Sequence, residues 1–391
     1  MIYNSYFYNT GQVVQKQRIH IISFQVPYPA DYGGAIDVYY KAKALKESGY
    51  NVVLHTFAYG GRGYSNALRE IADEVYIYKR NTGIMSLLSF MPYIVKSRDS
   101  KELLDNLLND DAPILFEGAH TTYLLSSPLL KERKKLVRAH NIESDYYRYL
   151  AAASHSIPKK IFFILESWKL KLYEFRLQHA DTIFAITAKD KEKLHRMCPS
   201  TDVELLPCFH NGTFGASTGK QRGRGDFILY NGNLSVEENI KAVLYLIEKV
   251  APFTEGAHWI FAGSNPSERI MKAAGMIKGA EVIANPSHEE MQQLVHDAAA
   301  NVLITFQATG IKLKLLNTLC NGGHCIVNDK MVEGSGLDHL CTIANNADEI
   351  IAAVNNLKEK KITQADIEKR HAVLLEQYDN NRNIQIISRH L

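Results

Sequence analysis

The stretch Asn301–Asn328, NVLITFQATGIKLKLLNTLCNGGHCIVN, decides the fold. Asn301 to Phe306 is apolar apart from its ends, which predicts a short strand buried on both faces. Gln307 to Gly310 is a tight polar loop. Leu313, Leu316, Leu319 and Cys320 then recur at helical spacing. The pattern predicts a helix that stops at Asn321-Gly322-Gly323 in a left-handed turn, and His324 to Asn328 predicts a second strand. Such a unit aims the helix N-terminus beyond the strand ends, where free N–H groups and the positive dipole end suit an anion. Gly310 lets the backbone approach closely, and Lys312 and Lys314 add full charges at the helix entrance. The design suits a phosphate, although an ordinary βαβ unit with a solvated lysine pair carries the same pattern.

Outward from this stretch, length and composition set bounds. A chain of 391 residues is long for one core, which predicts two domains. Its 46% hydrophobic and 22% charged residues are those of a globular protein. A net charge of +3 is too small to demand nucleic acid, and no nucleic-acid partner is expected. The five cysteines are odd in number and lack CxxC spacing, which predicts reduced, buried thiols in a cytoplasmic protein. Met1 to Gln17 lacks the apolar core of a secretory signal, and no apolar run reaches the roughly 20 residues of a membrane span.

Toward the N-terminus, Arg18–Phe24 reads as a strand, Val26–Gly34 as a loop, Ala35–Ser48 as a helix and Asn51–Phe57 as a second strand. No GxGxxG follows the first strand, which argues against a nicotinamide or flavin site. Gly33 and Gly34 still allow a phosphate or sugar to sit against bare backbone. Ser86–Leu108 is predicted helical with a break at Pro92, and Pro158–His179 forms a long amphipathic helix. Pro113–Glu117 and Lys135–His140 are predicted strands. His120 and His140 therefore lie at strand carboxyl ends, where parallel sheets place their ligands. Asn211–Gly225 is rich in Gly, Ser and Thr, which predicts a linker or exposed loop. A second α/β series begins at Asp226 and includes the turn Asn231-Gly232-Asn233. In Asn285-Pro286-Ser287, Ser287 and Glu290 have capping-box spacing. The absence of HExxH, DxD and any ligand-spaced His/Asp cluster predicts no metal site. The fold class is α/β, with two Rossmann-like domains facing across a cleft.

Three stretches carry a family resemblance. Pro27–Leu54 (PYPADYGGAIDVYYKAKALKESGYNVVL), Arg138–Tyr147 (RAHNIESDYY) and Gly310–Asn328 resemble, in order and spacing, the family-4 (bacterial group 1) glycosyltransferases of the GT-B fold. The resemblance implies an acceptor-side domain over 1–210, a donor-binding domain over 211–378, and a last helix within 379–391 that packs back on the first. It implies transfer of a sugar from a UDP- or GDP-type nucleotide sugar to a glycan or lipid-linked acceptor, with retention and without a metal or resident cofactor. By position, Gly33 and Gly34 would lie against the donor, and His140 or His120 near the reacting centre. Lys314, with Lys312 and the amides of Gly310 and Ile311, would hold the diphosphate. Asn285 and Pro286 would border the base. The family usually has paired glutamates where this chain has Thr309 and Asn317, and an Arg and a Lys where it has Asn233 and Glu238. Asn317 can still hydrogen-bond a ribose hydroxyl.

Two other readings stand beside transfer: a non-catalytic nucleotide-sugar-binding paralogue, and a sugar-nucleotide epimerase with Glu117 and Glu143 as its carboxylates. For the basic and apolar runs Ile84–Val95, Lys131–Lys135 and Pro158–His179, peripheral contact with an anionic inner leaflet competes with core packing beneath solvated lysines.

Overall fold

Near-continuous apolar runs such as Ile19–Ile22 and Val52–Leu54 are buried throughout, as strands covered on both faces require. The computed structural model describes residues 17–154, 156–212, 222–223, 225–306 and 312–391. Among these, the strands form two parallel sheets. The first contains β1 (Arg18–Ser23), β2 (Asn51–Ala58), β3 (Glu74–Lys79), β4 (Ile114–Glu117), β5 (Lys135–Ala139), β6 (Thr182–Ala185) and β7 (Asp202–Leu205), in the order β3-β2-β1-β4-β5-β6-β7. The second contains β8 (Phe227–Asn231), β9 (His258–Gly263), β10 (Ala280–Ala284), β11 (Ala300–Leu303), β12 (His324–Val327) and β13 (Thr342–Ile343), in the order β10-β9-β8-β11-β12-β13. The strand order reverses beside β1 and β4 in one sheet and beside β8 and β11 in the other. Crevices open at the carboxyl ends of such strands. The α/β class with two Rossmann-like sheets is therefore as expected.

Six helices carry or brace the residues that matter for function: α1 (Gly33–Glu47), α2 (Glu143–Ala153), α3 (Ile157–Tyr173), α4 (Glu237–Lys249), α5 (Leu313–Asn321) and α6 (Asn380–Ser388). The side chain of Asp379 caps α6 by accepting from the Arg382 amide at 2.8 Å. Although α6 follows the second sheet in sequence, its Ile384 and Ile387 pack with Ile19, Leu45 and Val52 of the first. The Tyr50 hydroxyl donates to Ser388 Oγ at 2.8 Å across the same seam.

Several boundaries differ from expectation for physical reasons. The region Ser86–Leu108 is three short helices, Ile84–Leu87, Tyr93–Lys96 and Lys101–Leu107. Pro92 keeps the residue before it out of helical geometry, and the Ser100 side chain starts the last piece by accepting from the Leu103 amide. The helix expected over Pro158–His179 tightens to a 3₁₀ turn after Tyr173. Most of the Asn211–Gly225 linker lies outside the described residues, but its end is not an exposed loop. Arg222 is buried and donates to the Cys320 carbonyl at 2.6 Å. All five cysteines are free thiols, four of them buried.

The stop of α5 is a further correction. Gly322 has φ −93° and ψ 175°, so it is extended and not left-handed. Glycine is needed there for space: a Cβ would lie 2.9 Å from both Asn301 Nδ2 and the Thr318 carbonyl. Gly322→Ala should therefore destabilise the fold by about 1–3 kcal/mol, measured by urea denaturation. An unchanged midpoint would show that this corner can relax.

Candidate active site

Behind the carboxyl end of the first sheet lies a buried charged cluster that joins α1, β4 and β5. Asp37 and Lys41 are one turn apart on α1, and the Lys41 ammonium donates to Asp37 Oδ2 at 3.0 Å. It also reaches both oxygens of Glu117, at 2.8 and 2.9 Å. Arg138 approaches Asp37 through Nε and Nη2, at 3.3 and 3.4 Å. The Phe209 amide donates to Asp37 Oδ1 at 2.7 Å. Two carboxylates thus face two cationic side chains, all almost completely buried. Burial pushes the Asp37 carboxyl toward neutrality, but Arg138, Lys41 and His140 outweigh it and hold the group well below the usual carboxylate range. Burial acts the same way on Glu117, where Lys41 and His140 again bring the balance down.

His140 follows β5 and closes this cluster. Its Nε2 meets Glu117 Oε2 at 2.8 Å, and its Nδ1 lies 3.8 Å from Asp37 Oδ2. Ligand atoms of Asp37, Glu117 and His140 all lie within 4.8 Å of one another, a grouping that could hold a metal ion. No spacing pattern could have signalled it, because the three residues come from three distant elements. The Lys41 ammonium contacts both carboxylates, so a cation already balances them.

His120 approaches from the turn after β4. Gly118, with φ +71°, makes that turn, and a Cβ there would meet His120 Nδ1 at 2.9 Å and His140 Cδ2 at 3.6 Å. The two histidines thus flank one glycine, and the Phe24 ring packs on both, with centroids 5.2 and 5.4 Å away. His120 Nδ1 is buried without a hydrogen-bond partner, 3.9 Å from Glu143 Oε1 at the start of α2. Burial, aided by Arg98 and His140, pushes His120 well below its ordinary pKa. Burial, reinforced by Glu174, raises Glu143 to about 8. A neutral imidazole therefore faces a carboxyl that is largely protonated at neutral pH.

Gly34 is under a different constraint from the one expected. A Cβ there would lie 2.7 Å from Phe24 Cζ, so its bare backbone is covered by an aromatic ring. Gly33 faces outward at the first turn of α1, which has neither a side-chain cap nor an acidic residue in that turn. A Cβ on Gly33 would sit 3.8 Å from Leu313 Cδ1, so the starts of α1 and α5 meet across the two halves.

On the second half, Lys314 lies in the first turn of α5. Its ammonium donates to Tyr230 Oη at 3.1 Å and Asn239 Oδ1 at 3.2 Å, and sits 4.6 Å from the Tyr230 ring centroid. Burial lowers its pKa to about 7; Glu238 opposes this and Lys312 adds to it. Lys312 is 3.5 Å from Glu238 Oε1, and Thr305 Oγ1 donates to the same carboxylate. Asn233 and Asn285 are tied up as turn-makers. The first accepts from the Ser235 amide at 3.0 Å, and the second, at φ +52°, accepts from the Asn265 amide at 2.8 Å. Pro286 follows, half-buried. Asn317 accepts from Asn321 Nδ2 at 2.8 Å. Thr309, Gly310 and Ile311 lie outside the described residues.

Beside these groups a cavity of about 80 Å³ spans the two halves. Asn141, Ile142 and Tyr146 at the start of α2 line one wall, Thr187 another, and Glu333 and Gly334 the third. Lys189 bridges to Glu333 at 2.9 Å.

The same arrangement of two sheets occurs in solved structures. HepE of Anabaena, crystallised with UDP and glucose, superposes with a TM-score of 0.65 at 12% identity, covering 95% of this chain and 98% of its own. A TarM variant of S. aureus, crystallised with fondaparinux, α-GlcNAc-glycerol and UDP, gives 0.65 at 8% identity, over 96% and 99% of the two chains. These likenesses establish the GT-B fold. Residues 225–360 match the model of the family described as glycosyl transferases group 1. The match lies within the second α/β half of the chain. Among curated proteins, the chain is 26% identical over 363 residues to an uncharacterized 44.6 kDa protein in the cps region of Klebsiella pneumoniae, covering 88% of this chain and 91% of that one.

Removing Lys41 should test the cluster. Lys41→Met leaves Asp37 and Glu117 without their shared cation and should destabilise the protein by about 3–5 kcal/mol. Adding Glu117→Gln should recover part of that in chemical denaturation. Glu143 predicts a pH effect of definite sign. Its folded pKa of about 8 exceeds the usual 4.5, so the native state holds the extra proton between those values. That contribution is complete below pH 4.5 and is lost as pH rises through 8, whereas Glu143→Gln should flatten this part of the stability profile.

Proposed function

We propose that the protein transfers a hexosyl group from a nucleotide-diphosphate sugar to a glycan or lipid-linked acceptor, with retention and without a bound metal ion. In this reading residues 211–378 bind the donor, residues 1–210 face the acceptor, and the segment 379–391 belongs with the latter. The observation that carries it is the site of Lys314. A partly desolvated ammonium stands in the first turn of α5 at the second sheet's switch point, and the α1 start meets α5 there.

The leaving nucleotide diphosphate gains negative charge as the glycosidic bond breaks. Lys314 and the first-turn amides of α5 would stabilise that charge; the amides of Gly310 and Ile311, expected to share in this, lie outside the described residues. Lys312 contributes less, because Glu238 already engages it. Asn233, Asn285 and Pro286 would border the nucleoside, and Asn317 would meet the ribose by releasing Asn321. Gly33 would face the phosphates at the α1 start. UDP in two of the similar structures favours a UDP over a GDP donor.

His140 keeps one ring nitrogen on Glu117, which fixes the ring and leaves Nδ1 as the atom able to meet a sugar hydroxyl. His120, with its unpartnered Nδ1, is the second candidate. The metal-free reading draws on Lys41, whose ammonium contacts both carboxylates of the potential metal grouping. An epimerase is less well supported, since Glu117 is tied to Lys41 and His140 and not presented to a sugar. A non-catalytic binding protein is favoured by one observation: Glu238 places a carboxylate beside Lys312 and in the field of Lys314. The cps-region relative fits a role in polysaccharide assembly.

Release of UDP from UDP-sugars, with and without glycan acceptors, tests the proposal; acceptor-stimulated release supports transfer, and binding without turnover replaces it with the scaffold reading. Lys314→Ala should lower kcat/KM about 10²–10³-fold, with a smaller loss for Lys312→Ala. The ammonium is the donor-binding form, so donor affinity should fall as pH rises through about 7. Calorimetry in buffers of different ionisation enthalpy should detect proton uptake on UDP binding near pH 8. Lys314→Met should abolish that uptake.

A further inference from the structure

Helix α3 buries one face and leaves the opposite one bare. Glu166, Leu170 and Tyr173 point inward, whereas Ile157, Ile161, Ile164, Leu165, Trp168 and Leu172 are exposed. At about 100° per residue the exposed set occupies an arc of roughly 100°. An apolar stripe of this kind ordinarily faces a protein core, and nothing among the described residues covers this one. A second exposed apolar group adjoins it. Lys169 Nζ donates to the Ser89 carbonyl at 3.1 Å, which places α3 against the segment containing exposed Ile84, Met85, Leu88 and Phe90.

The charges around this face share one sign. On the same helical wheel Lys160 and Lys171 border the stripe on one side and Lys169 on the other. The lone carboxylate of α3, Glu166, is turned inward, where it accepts from the Tyr93 amide at 2.6 Å and pairs with Lys169. Residues 84–98 contain no Asp or Glu, although Arg98 is buried and Lys96 pairs with Asp99 at 2.7 Å, so Lys160 and Lys171 are the cations this face offers. A stripe with Trp at its middle and lysines along both edges has the build of a helix lying in a bilayer interface. The same lysines disfavour a second copy of the chain, because a two-fold contact would bring like charges together.

We propose that α3 and the Ile84–Phe90 segment form a docking face for an anionic phospholipid bilayer. The aliphatic and indole side chains enter the acyl boundary, and the lysines pair with lipid phosphates. Among the described residues no helix is long and apolar enough to cross a membrane, so the contact is interfacial. The face is coupled to the cavity between the halves. Ser167 Oγ donates to the Ser144 carbonyl at 2.7 Å, and Phe163 packs edge-on to Tyr147 at 5.8 Å, which locks α3 onto α2. The start of α2 lines that cavity, so a bilayer-bound molecule holds it at a fixed orientation to the lipid.

The two tryptophans make the test direct. Trp168 is 68% exposed and Trp259 only 1%, so a change in emission on adding lipid reports Trp168. The full chain is titrated with vesicles of phosphatidylcholine alone and of phosphatidylcholine with phosphatidylglycerol, at low and high salt, with sedimentation as a second readout. The expected result is a blue shift and co-sedimentation with the anionic vesicles, weakened at least about ten-fold by high salt. Leu165→Asp and the pair Lys160→Glu/Lys171→Glu should each cut vesicle binding about ten-fold or more. These side chains are exposed, and unchanged circular dichroism and UDP binding by the variants keep the comparison free of folding and of the transfer reading. Equal binding to both vesicle types would overturn the proposal, as would no binding to either. So would self-association of the protein that Leu165→Asp abolishes, which would assign the face to a second copy.

Discussion

The Lys41 ammonium between Asp37 and Glu117 is the constraint on which the first half depends. It fastens the first helix to the fourth strand, and Arg138 brings in the fifth strand and the chain leaving the seventh through the Leu206 and Pro207 carbonyls. Taking two carboxylates out of water is unfavourable unless cations and hydrogen-bond donors surround them. Here a lysine, an arginine, a histidine and a backbone amide do so. The cluster sits directly behind His140, so the charge that organises the core also sets the direction of the ring facing the crevice.

The second half solves its charge problem in the opposite way. Lys314 has no carboxylate within bonding reach among the described residues. It leans on a phenol, an amide oxygen and the face of an aromatic ring. These partners steady an ammonium without neutralising it, while burial lowers its pKa, so it remains receptive to an anion. One half holds paired, satisfied charge; the other holds charge that an incoming phosphate would complete. The opposing helix starts at Gly33 and Leu313 bring those two environments together.

Much of this is legible from residue order. Alternating strands and helices, the glycine-marked turns and the Ser287 capping box all follow from local chemistry, and the structure has them. The positions of His120, His140 and Lys314 at strand ends or a helix start are equally readable. Whatever depends on distant segments meeting escapes such a reading. Asp37 and Lys41 look like an ordinary surface pair at one-turn spacing, yet their helix face turns inward. Arg138, a charge within the otherwise apolar strand LVRA, is the one visible sign that a buried anion awaits it. Gly322 misleads for a related reason: its sequence context suits a left-handed stop, but what requires glycine is the space taken by the Thr318 carbonyl and by the Asn301 side chain, the latter twenty-one positions earlier. Pro92 marks the break in its region but not the number of pieces, which the Ser100 cap settles.

The polypeptide passes between the sheets once after β7 and again before α6, and the two passages are stitched side by side. His210 Nε2 meets the Tyr378 carbonyl at 2.9 Å, and Asn380 Nδ2 donates to the His210 carbonyl at 2.8 Å. A single tether would let the lobes swivel in any direction. Twin tethers laced together would resist torsion between the lobes more than one tether does. Any closure over a bound molecule would then bring the same two rims together on each cycle.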